Sequence, residues 1–192
     1  MRKIGVLAVQ GDFAEHIQAL SKLEVETEEV RLPEHLSDLD GLIIPGGEST
    51  SQSRLMEIYG LKAPVIEKVG NGMPVWGTCA GMILLAGKLV EPHPVPLGLM
   101  DTEIQRNAYG RQVDSFETDG SVACLSGGDF RAIFIRAPKV VSLGSGVEPL
   151  SWSDAQEIIA VRQGHMLATS IHPELTNDIR FHEYFVDMVE RG

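Results

Sequence analysis

The feature that most constrains this chain is a series of short apolar segments, each closed by a turn and followed by residues at helical spacing. Residues 4–9, 41–44 and 73–76 are such segments and read as buried strands. Between the first two, Phe13, Ile17, Leu20 and Leu23 recur at helical spacing, with Asp12 positioned as a cap. A mixed stretch at 27–32 supplies another strand, ending at Pro33. After Pro45-Gly46-Gly47, Ser49 or Thr50 is placed to cap a helix carrying Leu55, Met56 and Ile58. A further helix around 65–69 stops at Gly70-Asn71-Gly72, and residues 82–85 start the next. Strands joined by single helices imply parallel βαβ units with helices on both faces of a sheet.

The second half changes character. Glu91-Pro92-His93-Pro94-Val95-Pro96 cannot be regular structure and reads as a surface connection. Strand-like segments follow near 115–118, 132–137, 140–143, 158–161 and 167–171, with Gly127-Gly128 and Gly144-Ser145-Gly146 as turns. A helix over about 178–190 closes the pattern. The expectation is an α/β fold: a mostly parallel central sheet flanked by helices on both faces, with antiparallel additions in the second half. No repeat or long linker divides it, so residues 1–192 are expected to form one domain.

Composition narrows the partners. With 16 Lys+Arg against 27 Asp+Glu, the net charge is −11, which disfavours nucleic acid and anionic membranes because both reward positive charge. Met1-Arg2-Lys3 before an apolar run superficially resembles a signal peptide, but Gln10 and Asp12 cut the run short. No stretch approaches the roughly 18–20 apolar residues that span a bilayer. Two cysteines, Cys79 and Cys124, are too few for a disulfide framework and suit a reducing compartment. A cytoplasmic location is expected.

Three stretches carry chemistry. Trp76-Gly77-Thr78-Cys79-Ala80-Gly81-Met82 places a cysteine between glycines where a strand gives way to a helix. At such an elbow a nucleophile projects clear of the backbone, and a helix N-terminus favours its thiolate. Taken alone, the pattern equally suits a small buried cysteine filling space beside packing glycines. Ser170-Ile171-His172-Pro173-Glu174 ends an apolar strand, where extended backbone would point His172 and Glu174 the same way. Alone, it would also suit an exposed turn; beside a cysteine elbow it supplies a base and an orienting carboxylate. Pro45-Gly46-Gly47-Glu48-Ser49-Thr50 offers free N–H groups for an oxyanion or carboxylate, or is merely a tight capped turn. It lacks the Gly-Lys-Ser/Thr ending of a phosphate loop.

Together these stretches resemble the class I glutamine amidotransferase family, whose glutaminase domains use a Cys-His-Glu triad. The resemblance is closer to one branch, the glutaminase subunits of pyridoxal 5′-phosphate synthase. Further marks are Arg106-Asn107, Gly110-Arg111-Gln112-Val113-Asp114-Ser115-Phe116-Glu117, Phe134-Ile135-Arg136-Ala137-Pro138 and His172-Pro173-Glu174-Leu175-Thr176. The resemblance implies hydrolysis of L-glutamine by Cys79, His172 and Glu174, with N–H groups of Gly47 and Ala80 holding the oxyanion. It implies that Gly47, Glu48, Ser49, Arg106, Ile135 and Arg136 bind glutamine, Arg106 as partner of the α-carboxylate. It also implies a synthase subunit as partner and recipient of the ammonia. No cofactor and no metal are expected.

Two departures from the family pattern stand out: His165 in Gln163-Gly164-His165, and the proline-rich 91–96 stretch. His182-Glu183 begins like a zinc motif, but Val186 stands where a second histidine is required. His16, His35, His93 and His165 lack ligand-like spacing and read as surface or structural, and Cys124 reads as a buried space-filler. Two other functions remain open on residues alone. A related peptidase or deglycase would not need Arg106 or Ile135-Arg136, and a non-catalytic docking subunit would have no need of an intact Cys79, His172 and Glu174.

Overall fold

The first apolar segment forms β1 (Arg2–Leu7) of a computed structural model that describes residues 1–106, 115–122 by backbone course, 125, 128, 130–153 and 156–192. α1 (Phe13–Leu20) leads from it to β2 (Val25–Val30), and a 3-10 turn at Pro33–Leu36 leads on to β3 (Gly41–Ile44). Then come α2 (Ser49–Ile58), α3 (Lys62–Gly70), β4 (Val75–Thr78) and α4 (Ala80–Leu85). Beyond α4 the chain runs through β5 (Ala86–Leu89), β6 (Met100–Gln105), β7 (Ser115–Val122), β8 (Phe130–Ile135) and β9 (Lys139–Leu143). β10 (Glu148–Trp152), β11 (Ile158–Gln163), β12 (Met166–Thr169), a 3-10 turn at Pro173–Leu175 and α5 (Arg180–Arg191) complete it.

Among the described residues, nine strands form one sheet in the order β2-β1-β3-β4-β12-β11-β10-β7-β8. Pairing is parallel from β2 through β12 and antiparallel from there to β8. The expected parallel sheet with antiparallel additions is therefore present, and the additions make up nearly half its width. β12, late in the chain, returns to the parallel half and lies beside β4, with Leu167 opposite Trp76 and Thr169 opposite Thr78. β5, β6 and β9 form a second, smaller sheet.

Burial on both faces explains why the central strands are apolar throughout. Alternate side chains of β3 enter opposite cores: Leu42 and Ile44 pack with Met56, Val65 and Leu84 from α2, α3 and α4. Ile43 packs on the other side with Leu20 of α1 and Phe181 and Phe185 of α5. α5 buries Phe181, His182, Phe185, Met188 and Val189, the spacing of one helical stripe. None of the described helices is long and apolar enough to cross a membrane.

Sequence reading missed β5, β6 and β10. β5 follows α4 with no intervening turn, and α4 has only six residues. β10 contains Pro149 and breaks register beside it, so it does not read as a regular strand. The caps also differ. Asp12 occupies the cap position of α1 without a side-chain bond to it, and α2 is capped by neither Ser49 nor Thr50 but by Glu48, which accepts from the Thr50 and Ser51 N–H groups.

Candidate active site

The elbow forms as its glycines suggest. Cys79 joins β4 to α4 with φ 47° and ψ −99°, a conformation costing a non-glycine residue about 1–3 kcal/mol. Its N–H donates to the Thr169 carbonyl at 2.8 Å, anchoring the elbow to β12, and its thiol lies 3.7 Å from the Ile135 carbonyl. Gly81 lets α4 sit against β3, since a Cβ there would strike the backbone carbonyl of Ile44. Six residues give α4 a small dipole, so a neighbouring cation is the stronger support for a thiolate.

His172, which lines the same cavity as Cys79, is the candidate for that cation. Its Nδ1 hydrogen-bonds Glu174 Oε1 at 2.8 Å, and both side chains are buried. The pair does not arise from extended backbone as the sequence suggested; Glu174 reaches back from the 3-10 turn that begins after His172. Asp12 Oδ2 also faces Nδ1, at 3.4 Å. Burial works against a charge on His172, but the negative groups around it, the Asp12 and Glu174 carboxylates and the Cys79 sulfur, outweigh it and raise its pKa well above that of free imidazole. Among the described residues its Nε2 has no hydrogen-bond partner. Gly46 permits this ring position, because a Cβ there would lie 2.8 Å from His172 Nδ1.

Asp12, His172 and Glu174 also bring three potential metal-ligand atoms within 4.8 Å. With Nδ1 protonated and donating to Glu174 at 2.8 Å, that nitrogen has no lone pair for a metal.

The loop after β3 is held from both sides. Gln10 Oε1 accepts the Glu48 N–H at 2.9 Å, and the buried Gln52 amide donates to the carbonyls of Gln10 and Pro45. Burial opposes the Glu48 charge, yet the Thr50 and Ser51 N–H groups outweigh it and hold its pKa at about 2. Arg106 Nη2 bonds Glu48 Oε1 and Thr50 Oγ1, both at 3.2 Å. The proline-rich stretch fixes this arginine: His93 offers its carbonyl to Nη1 at 2.7 Å, and Glu91 accepts the Arg106 backbone N–H. Replacing Glu48 by alanine is expected to cost about 1 kcal/mol through the lost cap. Because its folded pKa is depressed from 4.5, that difference should be complete above about pH 4.5 and fade as pH falls toward 2. Thermal unfolding of both proteins at neutral pH and at about pH 2–3 checks this.

Cys79, His172, Gly47, Glu48 and Ser49 line one cavity of about 350 Å³, together with Arg106, Ile135 and Arg136. Glu174 stands behind His172, and Ala80 is the buried residue after Cys79. Asn107, the 110–114 stretch and Cys124 lie outside the described residues, and Ser115, Phe116 and Glu117 are described by backbone course alone. Sequence reading missed Gln10 and Asp12 in the cavity wall. It also set aside His16 and His182, which are fully buried behind Glu174. The signal for His16 was present, since it falls on the apolar stripe of Phe13, Ile17 and Leu20. His165, by contrast, is structural: its Nε2 contacts the Val69 carbonyl at 2.7 Å, tying the β11–β12 turn to α3.

A sheet covered on both faces, with a cavity of this composition at its strand ends, marks an α/β enzyme of the glutaminase class. More particularly, residues 6–191 match the family model described as the SNO glutamine amidotransferase family, and the chain belongs to that family. A relative from Thermotoga neapolitana, named pyridoxal 5'-phosphate synthase subunit PdxT, is 50% identical over 188 residues, covering 98% of this chain and 100% of its own length. One of the same name from Dehalococcoides mccartyi is 54% identical over 190 residues, covering 98% of this chain and 97% of the relative. A crystal structure described as a glutamine amidotransferase superposes with a TM-score of 0.92 at 48% identity, covering 97% of this chain and 98% of that one.

Proposed function

We propose that the chain, acting as one domain in the cytoplasm, hydrolyses L-glutamine to L-glutamate and ammonia. The ammonia then passes to a synthase subunit that makes pyridoxal 5′-phosphate. Cys79 attacks the side-chain amide carbon, and His172 gives the leaving nitrogen its proton, so that ammonia departs and a thioester remains. His172 then takes a proton from water, whose oxygen attacks the thioester and frees glutamate and the thiol. Glu174 keeps His172 oriented and supports its positive charge. The N–H groups of Gly47 and Ala80 hold the oxyanion, each such donor being worth about 10²–10³ in rate.

The observation that carries this reading is the 2.8 Å His172–Glu174 bond beside the cavity that Cys79 shares with His172. Glutamine's charged end is assigned to Glu48, Arg106 and the Ser49, Ile135 and Arg136 wall of the same cavity. Because the Glu48 carboxylate already caps α2, its role toward the α-ammonium is electrostatic. The synthase partner is carried over from the names of the full-length relatives.

The test is glutamate release from glutamine by the purified chain, with and without a pyridoxal 5′-phosphate synthase subunit. Turnover that appears or rises sharply with the partner supports both the reaction and the complex. A folded protein that releases no glutamate in either condition overturns the proposal.

A further inference from the structure

Resting on the triad reading above, we infer that His16 and His182 are positioning residues: His16 donates its Nε2 hydrogen to the outer oxygen of Glu174, and His182 fixes the tautomer this requires. Burial pushes the Glu174 carboxyl above the ordinary carboxylate range while His172 pulls it down, so keeping it ionised beside a cationic His172 calls for donors at both oxygens. Oε1 has the His172 N–H. Oε2 is buried without a close hydrogen bond among the described residues, and His16 Nε2 faces it at 3.5 Å. The same nitrogen lies 3.1 Å from Thr78 Oγ1, directly before the elbow cysteine.

The second contact decides the tautomer. His16 Nδ1 and His182 Nε2 are 3.0 Å apart, so one donates and the other accepts. If His16 carried its proton on Nδ1, a lone pair would face the Glu174 carboxylate. His182 would then hold its own proton on Nδ1, an atom buried with no partner among the described residues. The opposite arrangement leaves only a lone pair unmatched there, and buried unmatched N–H groups are the rarer and costlier defect. His182 therefore donates from Nε2 to His16 Nδ1, and His16 donates from Nε2 toward Glu174.

Both rings act as neutral donors. Burial, then the neighbouring histidines, hold His16 well below the ordinary imidazole range, and burial, then Lys22, lowers His182 to about 3. A neutral His16 supplies Glu174 with a hydrogen bond without competing with His172 for its charge. Trp76 packs edge-on against both imidazoles, with ring centroids 5.4 and 4.9 Å away, so neither ring can turn freely. The dyad joins α1 to α5, and neither histidine lines the glutamine cavity.

The test compares His16→Leu, which lacks the donor, with His16→Gln, whose amide nitrogen extends to about the depth of Nε2. Both are assayed for glutamate release in complex with the synthase subunit, beside Glu174→Gln. His16→Leu is expected to lower kcat about 10–100-fold with little change in KM, and His16→Gln to recover most of the loss. A His16→Leu protein within twofold of wild-type kcat, while Glu174→Gln is slow, overturns this inference and leaves the triad standing. If Glu174→Gln also keeps wild-type kcat, the triad reading itself fails. Long-range proton–nitrogen NMR of histidine-labelled wild-type protein needs no variant to fold. It should find both His16 and His182 neutral and protonated at Nε2, and an Nδ1-protonated His16 overturns the assignment.

Discussion

Replacing Cys79 by alanine should lower kcat for glutamine hydrolysis by about 10⁴-fold or more, the usual cost of deleting the nucleophile from a catalytic unit. The side chain is small and, among the described residues, the hydrogen bond of its sulfur is a long one to the Ile135 carbonyl, so the fold should survive. Binding to the synthase subunit should survive with it. His172→Asn should be almost as severe. The double variant should be no worse than the more damaging single change, because a base without its nucleophile has nothing to activate. Steady-state glutamate release, thermal unfolding and co-purification with the synthase subunit separate these effects. A Cys79→Ala protein that releases glutamate at the wild-type rate would remove Cys79 from the mechanism, and strictly multiplicative losses in the double variant would separate it from His172.

A large effect on stability is expected at Gly81. An alanine Cβ there would meet the Ile44 carbonyl oxygen, with the carbonyl carbon 2.9 Å away. Neither atom belongs to a side chain that can rotate aside, so α4 must lift from β3 and open the core around Met82 and Leu84. Overpacking against backbone is expected to cost about 3 kcal/mol or more. For a chain of this size that corresponds to a fall in Tm of roughly 6–12 °C. Activity should fall as well, because the helix that moves begins at Cys79. Calorimetry of Gly81→Ala beside wild type measures it, and a Tm unchanged within a degree would show that the close approach can be relieved cheaply.

Much of the architecture was legible because its physics is local. β3 was read at its observed bounds because Gly41-Leu42-Ile43-Ile44 is wholly apolar and Pro45 ends it. The elbow was legible because only a narrow set of residues tolerates a strand-to-helix turn with so little room. What escaped depends on partners distant in the chain. Asp12 reads as a helix cap from its neighbours, yet its carboxylate turns to His172, far along the chain. Without the family resemblance Arg106 reads as a solvated arginine, until Glu91, His93, Glu48 and Thr50 are brought around it by tertiary structure. His182 was weighed only as half of a zinc motif, because nothing local reveals that α5 buries it against His16.

The central place of β12 has a consequence for how this protein comes into being on the ribosome. The loop after β3 and the elbow after β4 emerge first, and the strand that pairs with β4 and leads to His172 is made only well after them. A partly translated chain therefore carries the proposed nucleophile without its base, and exposes one edge of β4 where β12 will dock. If the proposed triad does the chemistry, cleavage of glutamine waits until translation has passed Glu174.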